Sequence, residues 1–277
     1  MISANDIRVL VGLARAAGSG PDINQGSSGN VSVKTGEDLM LIKRSGCRMR
    51  DLNEKYGFSA VDLAAVKKAV AGGKLDSGTV RDSEICADGV PGGVPSVETG
   101  FHAVLGRAVL HTHSVYANIL SSCAEGQDLV EDMFPGADYV GFFRPGPDIC
   151  RSINNIARPG ERQIIFAANH GLIVSCGVPE EIPFIFGDLE ASVGNKLKLP
   201  LYPYEKAAPG KLSAYNERHM VKYGQDFVLG HILTLDQLLY INAGAIAFPD
   251  ETVNEILTAY FYISDIYAAY GLSPSYL

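Results

Sequence analysis

The chain has 277 residues, 47% of them hydrophobic and 19% charged, a balance that describes a folded protein with a sizeable core and excludes a disordered one. Its formal net charge of −8 argues against nucleic acid as the main partner, since phosphate backbones demand a positive surface. No apolar run approaches the roughly 20 residues that a membrane-spanning helix requires.

In chain order, residues 5–17 carry apolar positions at helical spacing, with Asn5 or Asp6 able to cap. Alternation predicts strands at Val31 to Lys34 and Leu39 to Ile42. Ser59 reads as the cap of a helix that runs through Val70 and stops at Gly72-Gly73. Pro95-Ser96-Val97-Glu98 reads as a helix start, with the acid near the positive end of the dipole. Arg107 to Thr112 is predicted as a buried strand and Val115 to Ser122 as a helix, with a long Pro/Gly loop from Phe134 to Pro147. Gln163 to Ala167 and Leu172 to Ser175 pair as strands around an Asn-His-Gly turn, and Pro179 opens a helix to about Gly194. A proline-rich excursion follows from Lys196 to Gly210. Beyond it are a strand candidate at Leu238 to Ile241 and a long helix from Asp250 to about Tyr270. The helix tyrosines Tyr260, Tyr262, Tyr267 and Tyr270 are expected to pack on the core.

Five cysteines (Cys47, Cys86, Cys123, Cys150, Cys176) include no Cys-x-x-Cys pair and read as small buried hydrophobes in a reducing compartment. Met1 to Asp6 shows no basic leader before an apolar core, so a cytoplasmic location is the expectation.

His111-Thr112-His113 closes the apolar run Ala108-Val109-Leu110. On an extended strand both imidazoles project to one side, about 7 Å apart along the backbone, close enough to turn onto one metal ion. A bare His-x-His more often has one ring paired with a carboxylate and the other in solvent, but two further pieces shift the balance. His170, in the polar interruption Asn169-His170-Gly171 between two β-prone runs, supplies a third imidazole at a strand end. Glu98, about ten residues before the strand, supplies a carboxylate whose basicity burial and a cation would set. Three nitrogen ligands with an open position suit catalytic zinc. His102, His219 and His231 have no adjacent metal-type partner. Two glycine-rich loops, Asn24 to Lys34 and Leu41 to Gly46, offer backbone N–H groups to an anion, with Lys43 or Arg44 adding charge; neither fits a Walker or dinucleotide pattern.

Taken in order, the Asn24–Ser32 loop, the Lys43–Gly46 turn, Pro95–His102, His111–His113 and Asn169–Gly171 resemble the class II aldolase/adducin family of zinc-dependent sugar-phosphate aldolases. The resemblance covers most of residues 5–195. It implies an α/β fold: one three-layer α/β/α domain over residues 1–277, a mostly antiparallel central sheet flanked by helices, and residues 196–277 as a C-terminal extension. It implies zinc on His111, His113 and His170, Glu98 as acid–base group, and substrate phosphate held around Ser27, Asn30, Ser45, Gly46 and Ser96, beside Lys43. Many members carry two serines before the catalytic acid; here the second position is Val97.

The activity so implied is metal-dependent cleavage of a ketose 1-phosphate to dihydroxyacetone phosphate and an aldehyde. The same metal triad also serves 4-epimerisation, dehydration or decarboxylation, and a non-catalytic, adducin-like binding module is the remaining reading. The expected partner is a small sugar phosphate, with no nucleic acid or membrane, in a homotetramer of the family's kind. A family tyrosine protonates the leaving aldehyde's oxygen; Tyr116, Tyr139 and Tyr240 are candidates for that role.

Overall fold

Residues 2–277 are described by the structure, a computed structural model of the chain. Helix α1 (Ala4–Ala17) buries Leu10, Leu13, Ala14 and Ala17, positions three or four apart that form one helical face. Its cap is Ser3, not Asn5 or Asp6: the serine hydroxyl accepts the Asp6 N–H at 3.1 Å. Asp6 turns its carboxylate instead to Thr35 and Arg107.

Strands β1 (Asn30–Thr35) and β2 (Leu39–Lys43) lie where alternation placed them. Strand β3 (Phe58–Asp62) occupies the start of the helix expected from Ser59. Phe58 and Ala60 join one hydrophobic cluster and Val61 the other, a period of two that a helix cannot hold. Helix α2 (Leu63–Ala71) begins only after Asp62, which accepts the Ala65 N–H at 2.8 Å. Helix α3 (Ser77–Asp82) and the short β4 (Glu84–Ile85) close that edge. Pro95 does not open a helix: it bridges to Arg44 in extended backbone, and α4 (Thr99–Val104) starts four residues later.

Strand β5 (Ala108–Thr112) leads into α5 (Val115–Ser121), capped by Ser114, and α6 (Gly126–Met133). The expected long loop from Phe134 to Pro147 is interrupted by β6 (Asp138–Val140), too short for an alternation signal. Then come α7 (Pro147–Ile156), β7 (Gln163–Ala167), β8 (Gly171–Cys176) and α8 (Ile182–Lys196). The C-terminal part holds α9 (Ala214–Tyr223), α10 (Gln225–Gly230), α11 (Leu235–Tyr240), α12 (Ala243–Ala247) and α13 (Glu251–Tyr270). The strand expected at Leu238 to Ile241 is therefore mostly helix, because Thr234 caps α11 by accepting the Gln237 N–H.

One eight-stranded sheet runs β4-β3-β2-β1-β5-β8-β7-β6, antiparallel at every junction except β6–β7. Alternate residues feed two cores. Val31, Val33, Leu41 and Leu110 meet α1, α5 and α8 on one face. Met40, Ile42, Val109 and Ile173 meet α2, α4 and α7 on the other. This is the helix–sheet–helix layering the resemblance implied. Val109 and Leu110 are at most 1% exposed, and each such side chain contributes about 1.5–3 kcal/mol by leaving water.

A third cluster joins α13 to Val115 and Ile119 of α5. Tyr267 donates there to the Ile119 carbonyl at 2.9 Å. Tyr260, Tyr262 and Tyr267 are buried, while Tyr270 lies at the surface. Among the described residues no helix is long and apolar enough to cross a membrane.

Candidate metal centre and active site

The site sits where the central strands end. In β5, His111 lies between Asn30 of β1 and Ile173 of β8 in the ladder, so its backbone is fixed inside the sheet with a strand on either side. Its ring meets the Phe101 ring edge-on, with centroids 5.6 Å apart. Thr112 is the last strand residue; His113 follows, its N–H donated to Asn24 Oδ1 at 2.9 Å. His170 occupies the β7–β8 turn, where Asn169 takes a left-handed φ of 55°. The Asn169 amide donates to Leu233 O at 2.8 Å and Ser275 O at 2.6 Å, tying that turn to the C-terminal part.

Three Nε2 atoms converge. His111 Nε2 is 3.2 Å from His113 Nε2 and 3.2 Å from His170 Nε2, and all three rings are buried. The partners of the other ring nitrogens decide what these atoms are. His111 Nδ1 faces the Leu172 carbonyl at 3.1 Å, which only accepts, so the proton sits on Nδ1. His113 Nδ1 faces Asp236 Oδ2 at 2.8 Å, with the same result. Two Nε2 lone pairs therefore point at each other across 3.2 Å, an unfavourable contact unless a cation lies between them. Bonds of about 2.0–2.1 Å at tetrahedral angles place ligand nitrogens about 3.3–3.4 Å apart, close to the observed separation. The residues fit a divalent metal ion.

Glu98 stands directly beside this point, 5% exposed. Its Oε2 accepts from Asn30 Nδ2 at 2.6 Å and lies 3.7 Å from His111 Nε2, while Oε1 lies 3.2 Å from His170 Nε2 without hydrogen-bond geometry. Burial pushes the carboxyl up, and positive charge at the point where the imidazoles meet pulls it further the other way, leaving it below the usual carboxylate range. Burial holds His111 neutral, as a ligand must be. For His113 burial acts downward and the Asp236 carboxylate upward, with a net rise. His102 faces Ser32 at 2.8 Å on the far side of Phe101, and burial lowers it to about 3; His219 pairs with Asp265 in the C-terminal part.

A cleft of about 140 Å³ opens onto Glu98, His113 and His170, and is lined also by Ser27, Asn30, Lys43, Ser45, Gly46 and Ser96. Lys43 is not the free anion anchor that the sequence suggested. Its ammonium is 1% exposed and donates to the carbonyls of Ser27 at 3.0 Å and Cys47 at 2.7 Å, with Arg44 O at 3.5 Å. Burial brings its pKa down to about 8; its protons shape the loop, and only its charge reaches the cleft. Arg44 stacks over Tyr56 at 4.3 Å. Of the three tyrosine candidates, Tyr240 lines the cleft, Tyr139 donates to Ser121 O, and Tyr116 lies by Asp22 and Glu190. A larger hollow of about 340 Å³ near Arg48, Arg50 and Glu255 lies apart from the imidazoles. Its charges pair with one another, with Arg48 Nη1 3.0 Å from Glu255 Oε1 and Arg50 Nη2 2.7 Å from Glu251 Oε2.

The sequence reading missed Asp236, which stands 123 positions after His113. The available signal was Thr234-Leu235-Asp236-Gln237, a helix-capping pattern that would have turned the segment from strand to helix.

A mostly antiparallel sheet between helical layers, presenting three converging imidazoles and a buried carboxylate, defines a class of α/β protein able to hold a metal ion beside a carboxylate. Residues 9–181 match the class II aldolase and adducin N-terminal domain, and the chain belongs to that family. A methylthioribulose-1-phosphate dehydratase of Pectobacterium carotovorum is 35% identical over 111 residues, which are 38% of this chain and 43% of that protein. The match thus spans less than half the length of that curated relative. Among solved structures, the class II aldolase domain of a conserved protein from Thermoplasma acidophilum superposes with a TM-score of 0.61 at 22% identity, covering 71% of this chain and 96% of that one. A sugar-phosphate aldolase from Thermotoga maritima gives 0.54 at 16% identity, covering 70% and 94%. At such identities the likeness is one of fold.

Proposed function

We propose that this protein is a metal-dependent lyase acting on a ketose 1-phosphate, with zinc on His111, His113 and His170 and Glu98 as the acid–base group. The observation that carries the reading is the meeting of three Nε2 atoms within 4.8 Å of one another, with Glu98 Oε1 3.2 Å from His170. Bound there, a divalent cation supplies Lewis acidity that draws electrons toward a substrate carbonyl. Glu98 is aimed by Asn30 and takes the proton from the carbon next to that carbonyl. Ser27, Ser45, Gly46 and Ser96 would hold the phosphate, with the Lys43 charge behind them; that all of them line one cleft with Glu98 supports this reading.

Two reactions can use Glu98 at that carbon. In dehydration, the C–H electrons form a C=C bond and the hydroxyl on the next carbon leaves as water, taking the proton back. In aldol cleavage, the hydroxyl on the next carbon instead gives up its O–H proton to a base, its electrons form the aldehyde C=O as the carbon–carbon bond breaks, and Glu98 in its acid form protonates the carbon left behind. The similarity to the methylthioribulose-1-phosphate dehydratase favours dehydration, although cleavage is what the sequence motifs alone suggested. Tyr240, which lines the cleft, is the candidate for the group that takes the hydroxyl proton in cleavage.

The test is a panel of ketose 1-phosphates, with and without chelator. Turnover that is lost on chelation and restored by zinc is expected. A dicarbonyl product identifies dehydration, and a triose phosphate identifies cleavage. Turnover indifferent to chelation would refute the metal-dependent reading.

A further inference from the structure

Helix α11 lies beyond residues 9–181, the part that matches the family, yet it reaches the metal-ligating face of the site. Two ties put it there. The Leu235 N–H donates to the Asn169 carbonyl at 2.7 Å, and the Asn169 side chain donates to Leu233 O at 2.8 Å. The turn that carries His170 and the start of α11 are thus fastened to each other. From the first turn of α11, Asp236 extends to His113, with Oδ2 2.8 Å from Nδ1.

Asp236 is 3% exposed, and its other oxygen, Oδ1, is buried with no hydrogen-bond partner. A hydrogen bond to a neutral imidazole N–H needs only a neutral acceptor, such as an amide oxygen or the carbonyl that serves His111. A full negative charge half-satisfied in the interior is costly unless a positive charge stands nearby. Lys43, the buried ammonium of this cleft, is already bound to carbonyl oxygens. With His113 neutral, as a metal ligand must be, the nearest place for a compensating charge is the point where the three Nε2 atoms meet, one imidazole away.

We propose that Asp236 is a positioning residue for the metal: it fixes the His113 tautomer and ring angle and supplies a counter-charge to a divalent cation, a task this chain assigns to its C-terminal part. The inference rests on the metal-site reading above. Partners of this kind fix ligand orientation and raise basicity, and their loss typically lowers metal affinity by about 10–100-fold.

The experiment uses the full chain, stripped with chelator and titrated with zinc in competition with a chromogenic chelator. Asp236→Asn keeps the shape and an acceptor but removes the charge; Asp236→Ala removes both; His113→Ala is the reference. The expected result is a loss of zinc affinity of about tenfold for the asparagine variant and nearer 100-fold for alanine. The metal-free melting temperature of the asparagine variant should stay close to wild type, because the shape and the acceptor for His113 Nδ1–H are kept. Zinc affinities within twofold of wild type for both Asp236 variants, with His113→Ala defective, would overturn the assignment. So would a lowered metal-free melting temperature in the asparagine variant with unchanged zinc affinity, which is the behaviour of a residue needed only for folding. If His113→Ala itself retains zinc, the ligand set is wrong and the assignment falls with it.

Discussion

Replacing Glu98 with glutamine tests the acid–base assignment most directly, because the site tolerates the shape of the new side chain. The Asn30 amide donates to Glu98 Oε2 at 2.6 Å, and a glutamine oxygen can accept the same bond. The amide nitrogen then takes the place of Oε1, 3.2 Å from His170 Nε2, as a donor where the carboxylate was an acceptor. Folding should survive, and proton removal should not. General-base catalysis contributes about 10²–10⁴-fold, or about 2.7–5.5 kcal/mol of barrier. We expect the upper part of that range, since Glu98 is 5% exposed and bulk water has little access to substitute for it. The assay is deuterium uptake from solvent, followed by proton NMR at the carbon next to the carbonyl of a ketose 1-phosphate that the wild type turns over. Dehydration begins with that proton's removal, and in cleavage Glu98 delivers a proton to the same carbon of the released ketone phosphate, so solvent deuterium at this carbon reports on Glu98 in either reaction. Zinc must be saturating, because the variant also loses a negative charge beside the cation. Exchange within tenfold of wild type, with zinc bound, would refute Glu98 as the base.

Three further outcomes follow from the same geometry. Zinc at about 100 times its Kd stabilises a protein by about 2.7 kcal/mol, which for a chain of this size raises Tm by about 5–10 °C; His111→Ala should abolish the rise in a thermal-shift titration. Gly171→Ala should lower Tm and weaken zinc binding together, because the added Cβ would drive into the Thr112 carbonyl and lie 3.2 Å from His113 Cα. We expect a loss of about 1–3 kcal/mol in chemical denaturation, and a variant with wild-type stability and zinc affinity would contradict the β5–β8 register. Glu190 accepts from Ser114 Oγ at 2.7 Å, and burial raises its carboxyl to about 8 from 4.5. Between those values the folded state binds the extra proton, so stability falls as pH rises from 4.5 and the loss is complete above about 8. Glu190→Gln should flatten that decline, by about 1–3 kcal/mol at pH 9 in urea titrations; parallel wild-type and variant curves would show that Glu190 does not cause it.

What was legible in the sequence is what local periodicity encodes. Val109 and Leu110 alternate between two cores, so β5 was visible as a buried strand, and the spacing of His111 and His113 followed from it. The turn at Asn169-His170-Gly171 was visible because two apolar runs flank a polar break. Short segments failed for the opposite reason. Phe58-Ser59-Ala60-Val61-Asp62 is only five residues, and Ser59 looked like a cap although its hydroxyl binds Gly93 O within the sheet layer. Leu238-Leu239-Tyr240-Ile241 has no alternation to read, so the capping chemistry of Thr234 had to decide, and it favours helix.

Charged residues show the harder limit, because a side chain's role depends on what surrounds it. Lys43 ends a strand three residues before Gly46, in a turn that suggested an anion site, yet its protons are taken by carbonyls that only the folded loop brings near. Asp236 is the mirror case: a first-turn acid like many others until the fold sets it against His113. Neither role follows from neighbours in sequence, since each depends on partners that the tertiary structure delivers. The meeting of His111, His113 and His170 was readable because strand and turn geometry aims all three rings toward one point. The carboxylate that fixes the His113 ring comes from the C-terminal part, beyond the residues that match the family, so that part of the chain belongs to the site as much as the strands do.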